Sequence, residues 1–198
     1  INALSFGLLM AYLSAAPFVL RNVLGMGTVA YTAVFGLCGA TVTVTIAVAA
    51  SLVRRFSQAR QVRVGLVAGL VVDTVFAAVC LVWLREPVAG PVRMPLLVAV
   101  VALFLAHVAC LGLSMGNAPV LALDRTGRWA GTGSALLGFL QFVVGGLVSP
   151  LVGLTGEASG VAFGVVIVAV SVIANILAVL GLRERGEKQR RAAQASER

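Results

Sequence analysis

Long apolar runs alternate with short polar connectors along the whole chain. Six of these runs approach or exceed the roughly 20 residues that a helix needs to cross a bilayer. The strict alternation of apolar and polar residues that is typical of outer-membrane strands is absent. The pattern therefore predicts an all-α integral membrane protein, a bundle of six transmembrane helices. The predicted spans are 3–20, 28–53, 64–84, 95–115, 132–154 and 160–182.

Composition supports the membrane assignment. Of the 198 residues, 60% are hydrophobic and only 11% are charged, and the mean hydropathy is +1.05. A soluble domain carries about 25% charged residues, so this chain is too apolar to cover itself with a polar surface. We expect a transmembrane unit over residues 1–182 and a basic tail over 183–198 that is frayed or disordered. Because the chain begins with Ile1, we expect a processed product or a fragment.

The basic residues indicate an orientation rather than a nucleic-acid site. The net charge is +8. Twelve of the 15 Lys and Arg residues fall on one side of the predicted bundle, at 54–63, at 125 and 128, and from 183 onward. Cytoplasmic loops hold the excess of Lys and Arg. We therefore expect a multi-pass protein of the cell membrane with both termini in the cytoplasm and with no nucleic-acid partner.

Arg54, Arg55, Arg63 and Asp124 are the predicted anchors of the cytoplasmic loops. Their positions next to the predicted spans fit simple charge anchors of the positive-inside kind. The alternative is a salt-bridge latch at the inner face, in which Asp124 pairs with one of the arginines.

The motif Gly112-Leu113-Ser114-Met115-Gly116 matches the G-x-S-x-G turn of serine hydrolases. That turn needs a strand before it, and here the preceding residues are one continuous membrane run. His107 lies seven residues earlier, about 10 Å along a helix, whereas a general base must come within about 3 Å. We therefore predict no enzymatic activity. Three scattered cysteines predict packing thiols, and no metal site or cofactor is expected.

Four blocks of sequence carry a resemblance to a known family. They are residues 10–19 (MAYLSAAPFV), residues 51–56 (SLVRRF) followed by Arg63 and Gly65, residues 114–119 (SMGNAP) leading to ALD at 122–124, and residues 130–138 (AGTGSALLG) followed by Gln141 and Gly145. On these blocks the chain resembles the C-terminal half of a major facilitator transporter of the bicyclomycin/chloramphenicol-resistance (Bcr/CflA) branch. The resemblance extends from the first span to about the end of the fifth.

That resemblance implies a fold and a function. The six spans would be helices seven to twelve of a twelve-helix transporter, whose partner is a missing N-terminal six-helix half. Such proteins export small drug-like molecules in exchange for protons. Two alternatives stay open: the same fold exporting a sugar or amino-acid derivative, and a stand-alone six-helix membrane protein without transport activity.

Asp73 and His107 are the predicted proton-coupling residues. Asp73 lies about 15 Å along the helix from Arg63, near the middle of the bilayer, and His107 lies at a similar depth in the next span. A charged aspartate at that depth costs about 2.5–3.5 kcal/mol, so it should face protein or water. A carboxylate beside an imidazole can bind and release a proton near neutral pH. The alternative is an uncharged polar clip between helices.

Polar side chains within the spans are candidates for the substrate path. They are Tyr12 and Ser14 in the first span, Asn117 at the end of the fourth and Gln141 in the fifth. Tyr12 and Ser14 are two residues apart, so they cannot point in the same direction on a helix. Each amide can instead bond a neighbouring helix.

Pro17, Gly145 and Gly146 are the predicted hinge or gating residues. Proline removes a backbone hydrogen bond and usually kinks a helix, which makes either an outer gate or a fixed bend. The spacings Gly65-x3-Gly69 and Gly112-x3-Gly116 predict close approaches between helices.

Overall fold

The structure, a computed structural model, describes residues 1–124, 126–154, 156 and 159–196, without the side chains of residue 128 and residues 182–196. Six long helices occupy these ranges, each apolar and long enough to cross a membrane, and no strand is found among them. The predicted fold class is therefore confirmed. The helices are α1 (Asn2–Pro17), α2 (Thr28–Leu52), α3 (Gln58–Trp83), α4 (Arg93–Leu123), α5 (Ala130–Leu151) and α6 (Val161–Ser196).

Two helix ends differ from the sequence prediction. Helix α3 begins at Gln58, six residues early, because the Ser57 hydroxyl caps it by accepting a bond from the Arg60 backbone N–H at 3.4 Å. Helix α4 ends at Leu123 rather than Met115. The hydropathy rule ends a span at the first polar residues, but Asn117 is bonded inside the bundle, so the helix continues past it.

Helix α1 changes its winding at Pro17. The α-helix ends there, and Phe18–Val23 continue the same span as a π-helix. Proline has no N–H to donate to the preceding turn, and a π-turn absorbs the break. The predicted disturbance at Pro17 is thus present as a change of helix type, and a gating role there stays a prediction.

Helices α1, α3, α4 and α6 form the inside of the bundle. Helix α3 packs between α4 and α6, while α1 contacts α4, α5 and α6, and α2 packs mainly on α4. Helices α2 and α5 are the least buried, with only 11% of their most apolar stretches buried against 50% for α1. Two of the six helices therefore present broad apolar faces to the surroundings.

Glycines lie where helices approach most closely. A Cβ atom at Gly65 on α3 would lie 2.8 Å from the Ser114 hydroxyl of α4, and one at Gly112 on α4 would lie 2.8 Å from Cβ of Thr45 on α2. Separations that short require the neighbour to move. The close approaches predicted from the two glycine spacings are confirmed, and they set the spacing of α2, α3 and α4.

The two ends of the bundle differ in their chemistry. The Arg-rich end carries residues 53–57 and the connector from α4 to α5; the opposite end carries the connectors after α1, α3 and α5. The opposite end is tied by long-range backbone bonds, from Val88 N–H to the Val23 carbonyl at 2.8 Å and from Gly160 N–H to the Leu84 carbonyl at 2.7 Å. Arg93 also donates to the Leu24 carbonyl at 2.7 Å.

The basic tail continues α6. The helix extends to Ser196, and the side chains of the tail arginines lie outside the described residues. The domain boundary at residue 182 and the expected disorder of the tail stay predictions.

Candidate functional site

Asp73, His107 and Ser171 form a buried polar cluster that joins three helices. Nδ1 of His107 on α4 lies 2.5 Å from Oδ1 of Asp73 on α3. Ser171 on α6 donates its hydroxyl proton to the other carboxylate oxygen, Oδ2. The three side chains are only 1%, 1% and 2% exposed. The two residues predicted from depth alone are therefore in direct contact, although their role in proton coupling stays a prediction.

Ser171 was not anticipated from the sequence. It stands in an otherwise apolar helix, where a lone serine usually bonds the carbonyl of its own preceding turn. The only usable signal was its spacing of four residues from Asn175, which places both polar groups on one face of α6. Asn175 donates to the Leu66 carbonyl of α3 and to the Ser171 carbonyl, each at 2.9 Å. The Asn175–Leu66 bond fixes α6 against α3 one to two helical turns from Asp73, toward the Arg-rich end.

The carboxylate of Asp73 is well suited to its burial. Both of its oxygens accept a bond, so neither is left without a partner in the low-dielectric interior. Its contact with His107 is the only acid–base pair within the described residues at N–O distances up to 4.0 Å, and it is an ion pair when His107 is protonated. A buried carboxylate that is paired and hydrogen-bonded avoids much of the cost of desolvation.

The second ring nitrogen of His107, Nε2, has a different environment from Nδ1. Nε2 is buried without a hydrogen-bond partner among the described residues. When the imidazole is neutral and donates its Nδ1 proton to the carboxylate, Nε2 can accept a second proton.

Few other titratable groups surround the pair. Cys110 is one turn along α4 and interacts electrostatically with Asp73. Tyr12 of α1 packs against the ring of Phe104, and Cys38 of α2 interacts with Tyr12. No Lys, Arg or Glu occurs in residues 64–82, 94–123 or 161–181. The charge of the cluster therefore depends on Asp73 and His107 alone.

Three phenylalanines from three helices lie on one side of the pair. The ring centroids of Phe76 (α3) and Phe104 (α4) are 4.8 Å apart, and Phe163 (α6) lies 5.1 Å from the first and 5.7 Å from the second. All three are at most 1% exposed. This phenylalanine cluster lies between the Asp73–His107 pair and the opposite end of the bundle.

The remaining predicted path residues are dispersed. Tyr12 is 4% exposed and packs edge-on against Phe104. The Ser14 hydroxyl is 2.5 Å from that of Ser149 on α5, which joins α1 to α5. Gln141 is half-buried on α5 and makes no hydrogen bond to another described residue. The structure does not bring these three side chains to one cavity, and their place on a substrate path stays a prediction.

Asn117 bridges α4 and α3 near the Arg-rich end. Its amide nitrogen donates to Oε1 of Gln61 at 3.3 Å and to the Leu113 carbonyl at 3.0 Å. Gln61 in turn donates to the Phe56 carbonyl at 3.2 Å. The helix contact is the role that this geometry fills, and contact with a substrate stays a prediction.

The predicted hinge glycines differ from each other. A Cβ at Gly145 would lie 2.8 Å from Cγ of Met10 and 3.1 Å from the Phe6 ring, so α5 is pressed against α1 there. Gly146 faces open space, with nothing within 4 Å of its Cβ position. Contact with α1 explains the first glycine, and a hinge role for either stays a prediction.

The predicted loop anchors lie at the surface of the Arg-rich end. Arg54, Arg55, Arg63 and Asp124 are exposed. No ion pair joins them within the described residues, so the alternative of a salt-bridge latch is not formed in this conformation.

The G-x-S-x-G motif is part of a continuous helix. Residues 112–116 lie inside α4, and the Ser114 hydroxyl donates to the Cys110 carbonyl at 3.5 Å. The strand, turn and helix of a nucleophile elbow are not formed. The two glycines serve close contacts of α4 with α2, as their spacing predicted.

Comparison with known proteins gives one relevant relative. The chain is 27% identical over 176 residues to a Bacillus subtilis (strain 168) protein described as "Uncharacterized MFS-type transporter YdgK". The match covers 87% of this chain and 40% of that relative, so the chain spans less than half of its length. No family model matches the chain, and no solved structure matches it.

The similarity and the architecture agree at a coarse level. Six apolar helices together with similarity to a transporter of the major facilitator superfamily (MFS) fit one half of a major facilitator fold. They indicate a multi-pass membrane protein. This similarity does not extend to the Bcr/CflA branch, to the substrate or to proton coupling.

Proposed function

We propose that this chain is the C-terminal half of a proton-coupled exporter of small drug-like molecules, of the Bcr/CflA kind. The observation that carries the proposal is the buried Asp73–His107 pair, with its 2.5 Å contact between a carboxylate and an imidazole. The four sequence blocks and the similarity to an MFS-type transporter support the family. Promiscuous pockets consist of ordinary apolar and aromatic side chains, so the drug class rests on the resemblance.

The pair would act as the proton carrier. Adding or removing one proton at Asp73 or His107 changes the charge of a cluster that is otherwise sealed from solvent. A change of one unit of charge in a low-dielectric interior alters the relative stability of helix arrangements by several kcal/mol. Because Asp73 contacts both α4 and α6, its protonation would alter the packing of α3 against both helices.

The other half of the transporter is the proposed partner. Helices α2 and α5 are the least buried and display large apolar side chains, among them Phe139, Phe142 and Leu147 on α5. A second six-helix half would cover part of these faces, and lipid the remainder. The match to only 40% of the Bacillus protein agrees with this arrangement.

The proposed location is the cell membrane, with the Arg-rich end in the cytoplasm. The exposed arginines 54, 55 and 63 support that orientation, since Lys and Arg concentrate in cytoplasmic loops. Helix α1 then begins on the cytoplasmic side, and helix α6 ends there.

The Asp73→Asn variant tests the proposal. Asparagine keeps the size and two polar atoms of the side chain but removes the titratable group, so the complete transporter should fold and lose drug efflux that is driven by a proton gradient. The measurement is drug accumulation in membrane vesicles with an imposed gradient. Asp124→Asn is the matched control, because Asp124 is the chain's other aspartate and is exposed at the end of α4. Normal efflux by Asp73→Asn would end the proposal.

A further inference from the structure

The polar and apolar parts of the core are segregated along the bundle axis. Eight buried polar side chains occur among the described residues, and all lie either at the level of Asp73 or between it and the Arg-rich end. They are Asn2, Ser5, Gln61, Asp73, His107, Ser114, Asn117 and Ser171. The half of the core toward the opposite end holds none of them. A core of uniform polarity would show these side chains on both sides of the pair.

The large apolar side chains show the reverse distribution. Of the twelve largest fully buried side chains, ten lie between the pair and the opposite end. They are Val19, Leu20, Val23, Leu24, Phe76, Leu84, Val100, Phe104, Phe163 and Ile167. The phenylalanine cluster is the layer nearest the pair, since Phe76 is three residues from Asp73 and Phe104 is three residues from His107. The weak polar groups in this half are Cys80, which packs against Gly160 and Gly164, and the Tyr12 hydroxyl with Cys38 beside Phe104.

Toward the Arg-rich end, a polar group occurs at nearly every helical turn. Asn175 and Cys110 lie about 5 Å from the pair along the axis, Ser114 about 10 Å, and Asn117 about 15 Å. On α4, positions 107, 110, 114 and 117 share one face because their spacings are three and four residues. The amide of Gln61 continues this series to the Phe56 carbonyl at the surface of the connector.

We propose that protons reach the Asp73–His107 pair only from the Arg-rich end in this conformation, along Ser114, Asn117 and Gln61, because the phenylalanine cluster seals the other side. The inference rests on the proposed function and specifies the side from which the carrier is loaded. The backbone bonds and the Arg93 contacts that tie the opposite end together reinforce the seal.

The chain contains one histidine, so a single imidazole can be observed directly. Protein labelled with ¹⁵N-histidine in lipid bicelles is transferred to deuterated water, and NMR follows the exchange of the proton between His107 and Asp73. The backbone amide of His107, in the middle of α4, carries the same label and serves as the internal reference, because its exchange reports opening of the whole bundle.

Asn117→Leu removes a polar group of the series while keeping the number and branching of the side-chain heavy atoms. We expect it to slow exchange at His107 by about tenfold or more, with unchanged amide exchange in α4. Gln61→Leu provides a second test at the same level if the first variant folds poorly. Phe163→Leu is the control in the apolar half, and it should leave the exchange rate within about twofold of the wild type.

Two results would overturn the inference. If both the Asn117→Leu and Gln61→Leu variants exchange at the wild-type rate, the polar series is not the route. If Phe163→Leu instead accelerates exchange about tenfold, access is controlled from the opposite end. Either result would overturn this proton route but would leave the proposed requirement for Asp73 in transport intact. Normal efflux by Asp73→Asn would instead overturn the proposal of proton coupling, and it would leave the exchange pattern of the wild-type protein unaffected.

Discussion

Replacing the Asp73–His107 pair by leucines measures how strongly the two side chains are coupled. The single variants Asp73→Leu and His107→Leu each leave one polar partner buried in the centre of the bundle, 1% exposed. The double variant removes both and leaves two apolar side chains of similar size. A cycle of the four proteins isolates the interaction between the two residues from their separate contributions.

The magnitude distinguishes an ion pair from a neutral polar clip. Hydrogen bonds between transmembrane helices average about 0.6 kcal/mol and reach about 1.7 kcal/mol. Breaking a buried ion pair in a protein interior costs about 3–5 kcal/mol, because an unpaired charge remains. Because of the 2.5 Å contact and the nearly complete burial, we expect this pair to behave as an ion pair. We therefore expect a coupling free energy of about 2–4 kcal/mol, above the range of neutral bonds.

The assay is reversible unfolding in mixed detergent micelles, followed by helical circular dichroism. Thr74→Val is the matched control, since Thr74 is the neighbour of Asp73 but is exposed and bonds only the Leu70 carbonyl of its own helix. That control should change the free energy of unfolding by about 0.5 kcal/mol or less. A coupling free energy of about 0.6 kcal/mol or below would refute the ion pair and favour the neutral clip.

Two further predictions concern packing and orientation. Gly145→Leu should destabilise the bundle by about 1–3 kcal/mol in the same unfolding assay, because the new side chain would enter the contact with α1. Gly146→Leu should be nearly neutral, and equal losses of stability in the two variants would contradict the α1–α5 contact. In a background without the native cysteines, a thiol at Val53 should react with an impermeant reagent from the cytoplasm only, and one at Gly27 from outside only. The reverse pattern would overturn the proposed orientation.

The sequence was sufficient to predict the helices because bilayer crossing imposes a length and a composition. Apolar runs of about 20 residues have few alternatives to a transmembrane helix. The errors came where polar residues were satisfied inside the bundle. Asn117 appeared to end the fourth span, but bonds to Gln61 and to its own helix kept it buried, and α4 continued eight residues further.

The pairing of Asp73 with His107 followed from depth, since an aspartate in the middle of a span needs a partner and the chain has one histidine. Ser171 could not be found in that way. A serine costs little in a membrane helix because it can bond its own backbone, so its presence gives no signal of a partner 98 residues away. The segregation of polar and apolar layers likewise depends on which helix faces meet, and only the packing of α1, α3, α4 and α6 determines it.

The ¹⁵N chemical shifts of His107 test most directly whether the buried pair carries a proton. In protein labelled only at histidine, one imidazole contributes, and its two nitrogens report the tautomer and the charge. We predict that the signals of the wild type change reversibly as the pH is varied around neutrality, and that Asp73→Asn displaces this titration because the carboxylate at 2.5 Å is lost. Signals that stay constant with pH in the wild type, or that are the same in the Asp73→Asn variant, would contradict a proton-carrying pair.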